Sequence, residues 1–95
     1  MSLDVEWDPE KAAANAARHG VTFSEAATVL ADPLAIDLPD PDHSIEEERL
    51  LLLGQSENGR LLIVTLTVRG DIVRIISAKP MTSRERRTYE QATGR

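Results

Sequence analysis

The chain of 95 residues contains no cysteine, so neither a disulfide framework nor a thiolate metal site can staple the fold. Aromatic residues are nearly as scarce, with one Trp, one Tyr and one Phe, which leaves Leu, Ile, Val and Ala to build the core. Long apolar runs are also missing: stretches 50–53 and 61–64 fall far short of the ~20 residues a membrane-spanning helix needs. Residues 1–9 carry acidic side chains where a secretory signal would need a basic start and an apolar run, so a cytoplasmic protein with no membrane partner is expected. Two histidines without short ligand spacing make no zinc motif. The acidic stretch 39–48 lacks the glycine and ligand register of an EF-hand loop, and there is no phosphate-binding glycine loop or Ser-centred elbow. Neither a metal nor another cofactor is expected.

What is present fits a single domain over residues 1–95. The net charge of −5 hides an asymmetry. Residues 1–59 hold 3 Lys/Arg against 13 Asp/Glu, whereas residues 60–95 hold 8 against 3. Such a division suits a polyanion-binding face beside an acidic one, or two halves whose charges pair across ordinary surface.

Residues 3–7 alternate apolar and acidic side chains, as in a half-buried strand. Asp8-Pro9 then starts a helix, Asp8 at the N-cap and Pro9 at the first helical position, and Gly20 ends it. Lys11, Asn15 and Arg18 fall on one side of this helix, with Ala12, Ala13 and Ala16 largely on the other. Thr22 or Ser24 caps a second helix running to about residue 31, which buries Phe23, Ala26, Ala27 and Leu30. Asp32-Pro33 stops it. A brief strand at 35–38 and a turn at 39–42 follow, then strands at 47–55, 61–68 and 72–78. Asn58-Gly59 signals a two-residue type I′ turn and Gly70-Asp71 a type II′ turn. Thr82 with Glu85 makes a capping box for a last helix. The architecture expected is α+β: an antiparallel sheet, two helices in the N-terminal half and one at the C terminus.

With two-residue loops at both turns, Glu48 lies opposite Arg69, and Thr67 opposite Arg74. One sheet face then gathers Glu48, Thr65, Thr67, Arg69 and Arg74. The other is purely apolar through Leu51, Leu53, Leu62, Val64, Leu66, Val73 and Ile75, with Arg49, Arg60 and Lys79 near its ends, and should pack on the helices. The polar cluster reads either as cross-strand ion pairs on solvated sheet or as a site. His43, just past a turn, can serve as an acid or base near neutral pH or can order a loop. His19 ends the first helix, where capping is the simpler role. Arg84, Arg86 and Arg87, with Tyr89, either meet phosphates and a stacked base or form a solvated helix surface.

Several segments in succession carry a resemblance. They are Trp7-Asp8-Pro9 with Lys11 and Asn15, His19-Gly20-Val21 and Phe23 with Glu25-Ala26, and Asp42-His43-Ser44 with Glu47-Glu48-Arg49. Gly54, Gly59-Arg60, Arg69, Arg74-Ile75-Ile76-Ser77-Ala78 and Glu85-Arg86-Arg87 with Tyr89-Glu90 follow. In order and spacing, over nearly the whole chain, they resemble the BrnT toxin family. The chain departs in having Lys79 where the family usually has Arg, which loses the bidentate phosphate geometry of a guanidinium. Arg18 stands where Lys is common.

The resemblance implies a RelE-like ribonuclease toxin that cleaves RNA without metal and inhibits translation. It implies a BrnA-type antitoxin, a ribbon-helix-helix DNA-binding protein, and leaves room for a homodimer within the toxin–antitoxin complex. RNA carries its own nucleophile, the 2′-hydroxyl, so the enzyme must orient it, stabilise the phosphorane and protonate the leaving oxygen. Arg69 and Arg74 are the expected phosphate and transition-state contacts. Arg60, Lys79, Arg86 and Tyr89 are further substrate-binding candidates. Glu48 or His43 is the candidate base, and His43 or His19 the candidate acid. The competing reading is a catalytically inactive module that only binds the antitoxin or co-represses transcription.

Overall fold

Capping chemistry starts and stops the helices. Asp8 accepts a hydrogen bond from the Glu10 N–H at 2.8 Å, Pro9 opens α1 (Pro9–His19), and Gly20 ends it at φ 69°. Thr22 accepts from the Glu25 N–H and opens α2 (Phe23–Thr28), which tightens into a 3₁₀ turn, Val29–Ala31, before Asp32. Thr82 and Glu85 form the reciprocal capping box of α3 (Ser83–Thr93). The computed structural model describes residues 4–40 and 48–95. Among these, no helix is long and apolar enough to cross a membrane.

Five strands form one sheet: β1 (Asp4–Glu6), β2 (Ile36–Pro39), β3 (Arg49–Gln55), β4 (Leu61–Arg69) and β5 (Ile72–Pro80), in the order β1-β5-β4-β3-β2. The pairings from β5 to β2 are antiparallel, while β1 adds a parallel edge to β5. The fold is thus the expected α+β, with one parallel strand.

The first hairpin corrects the expected register. Its loop has three residues, 57–59: the Ser56 N–H donates to the Arg60 carbonyl at 2.8 Å, and the Gly59 N–H to the Ser56 carbonyl at 2.9 Å. Gly59 has φ 82°, whereas no described residue other than glycine has positive φ. A type I′ turn needs positive φ at both central positions, so Asn58 rules it out; a type I turn closed by a left-handed glycine takes its place. Gln55 therefore pairs with Leu61 and Arg49 with Thr67, so Glu48 does not take the expected place opposite Arg69. The Gly70-Asp71 turn has the expected two-residue form, with Arg69 opposite Ile72 and Thr67 opposite Arg74. Between Thr65 and Leu66 the pairing shifts at a bulge. The extra residue in β5 lets both Ile75 and Ala78 join the core.

A one-residue slip turns a strand over, and β3 is indeed reversed from the expected facing. Leu50 and Leu52 pack with Leu62, Val64, Leu66, Val73 and Ile75 against Val21, Phe23, Ala26 and Val29 of the helical layer. Trp7 meets Phe23 edge-on, ring centroids 6.0 Å apart. Leu51 and Leu53 lie on the other face, where Leu53, Ile63 and Met81 pack on Tyr89 of α3.

Asn15, on the same side of α1 as the charged Lys11 and Arg18, is nonetheless buried. Its amide donates to the Ala78 carbonyl at 2.8 Å and the Val21 carbonyl at 3.0 Å, and accepts from the Ala78 N–H at 3.1 Å. β1 pairs only with positions 72–74 of β5. Beyond it, Asn15 makes the two hydrogen bonds that a neighbouring strand would have made with Ala78.

Candidate active site

α3 covers only part of its sheet face. Toward the Gly70-Asp71 turn, register alone brings residues from four strands, three of them charged, into line. Arg49 pairs with Thr67, Thr67 with Arg74, and Arg74 with Glu6. Arg69 and Ile72 pair in the next row on the same face, beside Asp4. Thr67 is 2% exposed at the floor. Glu6, Thr67, Arg69, Ile72 and Arg74 line a shallow depression of about 380 Å³. Arg74 Nη1 donates to Glu6 Oε2 at 2.9 Å, and both side chains remain about half exposed.

A guanidinium offers five N–H donors in a planar fork, so one contact to a carboxylate leaves donors for a phosphate. Two arginines, Arg69 and Arg74, and one carboxylate line this depression, and Arg49 stands in the row of Thr67 at its floor. The cation Arg49 comes from the acidic half of the sequence; folding, not composition, creates the local positive field. This face can therefore hold a phosphodiester, with a carboxylate at its edge.

The remaining sequence candidates are dispersed. Glu48 is exposed and precedes β3, one position out of the arginine row. His43 lies outside the described residues. His19 ends α1, and with Lys11, Asn15, Arg18, Ile76 and Ser77 it lines a separate depression of about 210 Å³. None of its lining residues is shared with the arginine depression. Lys79 pairs with Ile63, toward the end of the sheet that α3 covers.

Arg60 lies at the far end of β4 from Arg69, about 30 Å away at ordinary strand rise. Its Nε donates to Glu25 Oε2 at 2.9 Å, its Nη2 also reaches Glu25 Oε1, and Nη2 donates to the Gly20 carbonyl at 3.0 Å. Ser56 Oγ donates to the same carboxylate at 2.8 Å. The Arg60 hydrogen bonds are the main reason that Glu25 is held at about 2, below its ordinary 4.5, against the opposing effect of burial. Arg60 thus ties the first hairpin to α2. With Arg86 and Arg95 it borders a further depression, of about 450 Å³.

Tyr89 is fully buried and has no ring face to offer a base, which corrects its expected stacking role. Its hydroxyl donates to Asp32 Oδ2 at 3.1 Å and accepts from Arg95 Nη1 at 2.5 Å. Burial, then the Asp32 carboxylate, pushes its ionisation up.

Sequence reasoning missed Glu6 and Arg49. The alternation at 3–7 already placed Asp4 and Glu6 on one side of a strand; what was lacking was the strand's neighbour, which no local pattern specifies. Arg49 was lost to the hairpin register. Reading Gly59 alone as the left-handed residue of a three-residue loop would have recovered it.

Comparison with known proteins bears on this geometry. Residues 7–85 match the family model described as ribonuclease toxin, BrnT, of type II toxin–antitoxin system. No curated protein matches the chain. Among solved structures, the Brucella abortus ribonuclease toxin BrnT is similar with a TM-score of 0.63 and 20% identity, covering 86% of this chain and 100% of that one. At that identity the likeness speaks for the fold.

Proposed function

The chain belongs to the BrnT family of ribonuclease toxins of type II toxin–antitoxin systems, and on that premise we propose that it is a metal-independent endoribonuclease acting through its open arginine face. The observation that carries this reading is that register brings Arg49, Arg69 and Arg74 to one face of the sheet, at the end toward the Gly70-Asp71 turn. The 2′-hydroxyl of RNA is the nucleophile, so the protein need not generate one. Its tasks are alignment of that hydroxyl with the scissile phosphorus and neutralisation of the charge that builds on the phosphorane. Guanidiniums perform the second task without a metal.

In this reading Arg69 and Arg74 hold the phosphate and stabilise the transition state, and Arg49 extends the contact along the strand of RNA. His43, six residues before Arg49 in the chain, protonates the leaving oxygen. Cleavage in the cytoplasm arrests translation, and a BrnA-type ribbon-helix-helix antitoxin neutralises the toxin, in a complex that can contain two toxin copies.

The test is growth after inducing the chain alone, beside an Arg69→Ala/Arg74→Ala double variant, with RNA integrity read from the same cells. The parent should arrest growth and fragment RNA, and the double variant should do neither while remaining soluble. If the parent leaves growth and RNA untouched despite soluble expression, the chain is a binding module without activity. If the double variant is as toxic as the parent, the arginine face is not the site.

A further inference from the structure

We propose that Glu6 is the general base that removes the 2′-hydroxyl proton, a catalytic residue for the RNA cleavage proposed above, on which this inference rests. In RNA the attacking 2′-oxygen and the 3′-oxygen that carries the scissile phosphorus sit on adjacent carbons of one ribose. The group that takes the proton must therefore touch the group that holds the phosphate. Among the described residues lining the arginine depression, Glu6 alone carries a carboxylate, and it contacts Arg74.

The alternatives within that lining fail on chemistry. A guanidinium stays protonated and cannot accept a proton, the Thr67 hydroxyl is far too weak a base, and Ile72 has no polar atom. Glu48 lies out of the row, and His19 lines a separate depression.

The geometry suits the task. Arg74 engages Oε2, which fixes the carboxylate and leaves Oε1 to accept from a substrate hydroxyl. The side chain is about half exposed, so RNA can reach it. β1 is only three residues long and its parallel register places Glu6 directly beside Arg74. Arg74 can then span the base and a phosphate oxygen with different N–H groups, holding the two reacting parts of one nucleotide together.

In the step itself, Glu6 takes the 2′-hydroxyl proton, O2′ bonds to phosphorus and the P–O5′ bond breaks. The leaving 5′-oxygen takes a proton from the acid of the functional reading above, and Glu6 later returns its proton to solvent. The products are a 2′,3′-cyclic phosphate and a 5′-hydroxyl. The charged groups placed toward Glu6 are Arg74 of β5, Arg69 of β4 and Arg49 of β3. Asp4 stands on its own strand, Asp71 in the turn whose carbonyl accepts from the Asp4 N–H, and Asp8 follows it in the chain.

The experiment measures kcat and KM against pH for the purified chain on a fluorogenic oligoribonucleotide pool of randomised sequence. Glu6→Gln and Glu6→Asp are compared with the parent, and a thermal melt is run on each. Removing a general base costs ~10²–10⁴-fold in rate. Glu6→Gln should lose at least about 100-fold in kcat with KM within about threefold, and lose the rise of rate with pH on the acid side. Glu6→Asp should recover part of the rate and keep that rise.

If Glu6→Gln cuts within about threefold of the parent, or keeps the acid-side rise, Glu6 is not the base. A raised KM at unchanged kcat also overturns the proposal, because it marks a role in binding alone. Should Glu6→Gln melt early, Glu6→Ala assayed with added formate replaces it: a restored rate supports the proposal and no restoration overturns it. A normal Glu6→Gln beside an inactive Arg69→Ala/Arg74→Ala variant removes only this inference. A parent that cuts no RNA removes the functional reading with it.

Discussion

Asp32 organises the end of the molecule remote from the arginine face. Its carboxylate accepts from the backbone N–H of Gln55 at 2.7 Å and of Leu34 at 2.9 Å, from the Tyr89 hydroxyl, and from Arg95 Nη1 at 3.0 Å. Gly54 lies against this knot because no side chain fits there. A Cβ at position 54 would stand 2.8 Å from Val29 Cγ1 and 3.0 Å from both Ala35 Cβ and Asp32 Oδ2. Gly54→Ala is thus an overpacking substitution and should cost ~1–3 kcal/mol. For a domain of this size that lowers the melting temperature by roughly 5–20 °C. An unchanged melt would mean that the 3₁₀ turn yields freely. Neither Gly54 nor Asp32 could be assigned this role from the sequence, since Asp32-Pro33 reads only as a helix stop and an isolated strand glycine as a bulge.

Among the elements, local chemistry was legible and partnership was not. Asp8-Pro9, Gly20 and the Thr82/Glu85 box mark helix ends through groups within four residues of one another, so the sequence pattern and the structure agree. Strand β1 was equally visible, but its parallel docking beside β5 joins Glu6 to Arg74 across 68 positions, and no local pattern records that. The β3 error arose at one turn residue and propagated to every side chain of the strand, exchanging Glu48 for Arg49 at the candidate site. Asn15 illustrates the same limit, because a polar residue on an Ala-rich helix reads as solvent-facing until a strand edge needs its amide. Asn15→Ala would leave the buried Ala78 N–H and carbonyl without these partners, costing ~2–4 kcal/mol. Chemical denaturation should show this as a lower midpoint at unchanged slope. A midpoint equal to that of the parent would show that water replaces the amide.

For the molecule as a whole, two buried carboxylates set its response to acid. Glu25 is held at about 2 instead of 4.5, foremost by Arg60. Burial works against the ionised form of Asp32, yet the N–H groups of Gln55 and Leu34, with Arg95 and Tyr89, still hold it at about 2 instead of 3.8. Both values are depressed by folding, so the stabilisation is complete above the unfolded values and is lost as pH falls toward 2. It amounts to on the order of 2 kcal/mol for each group. Urea unfolding should accordingly show stability falling steeply between about pH 4.5 and about pH 2, and Glu25→Gln with Asp32→Asn should flatten that fall. A parent whose stability is level across this window would contradict the assignment. The parallel pairing of β1 with β5 has a different consequence, one of timing. A ribosome making this chain delivers Glu6 first and Arg74 only after three quarters of the sequence. No nascent chain that stops short of β5 brings Glu6 and Arg74 together, so on the proposed reading cleavage, and with it damage to the messenger encoding the chain, begins only when its own synthesis is nearly complete.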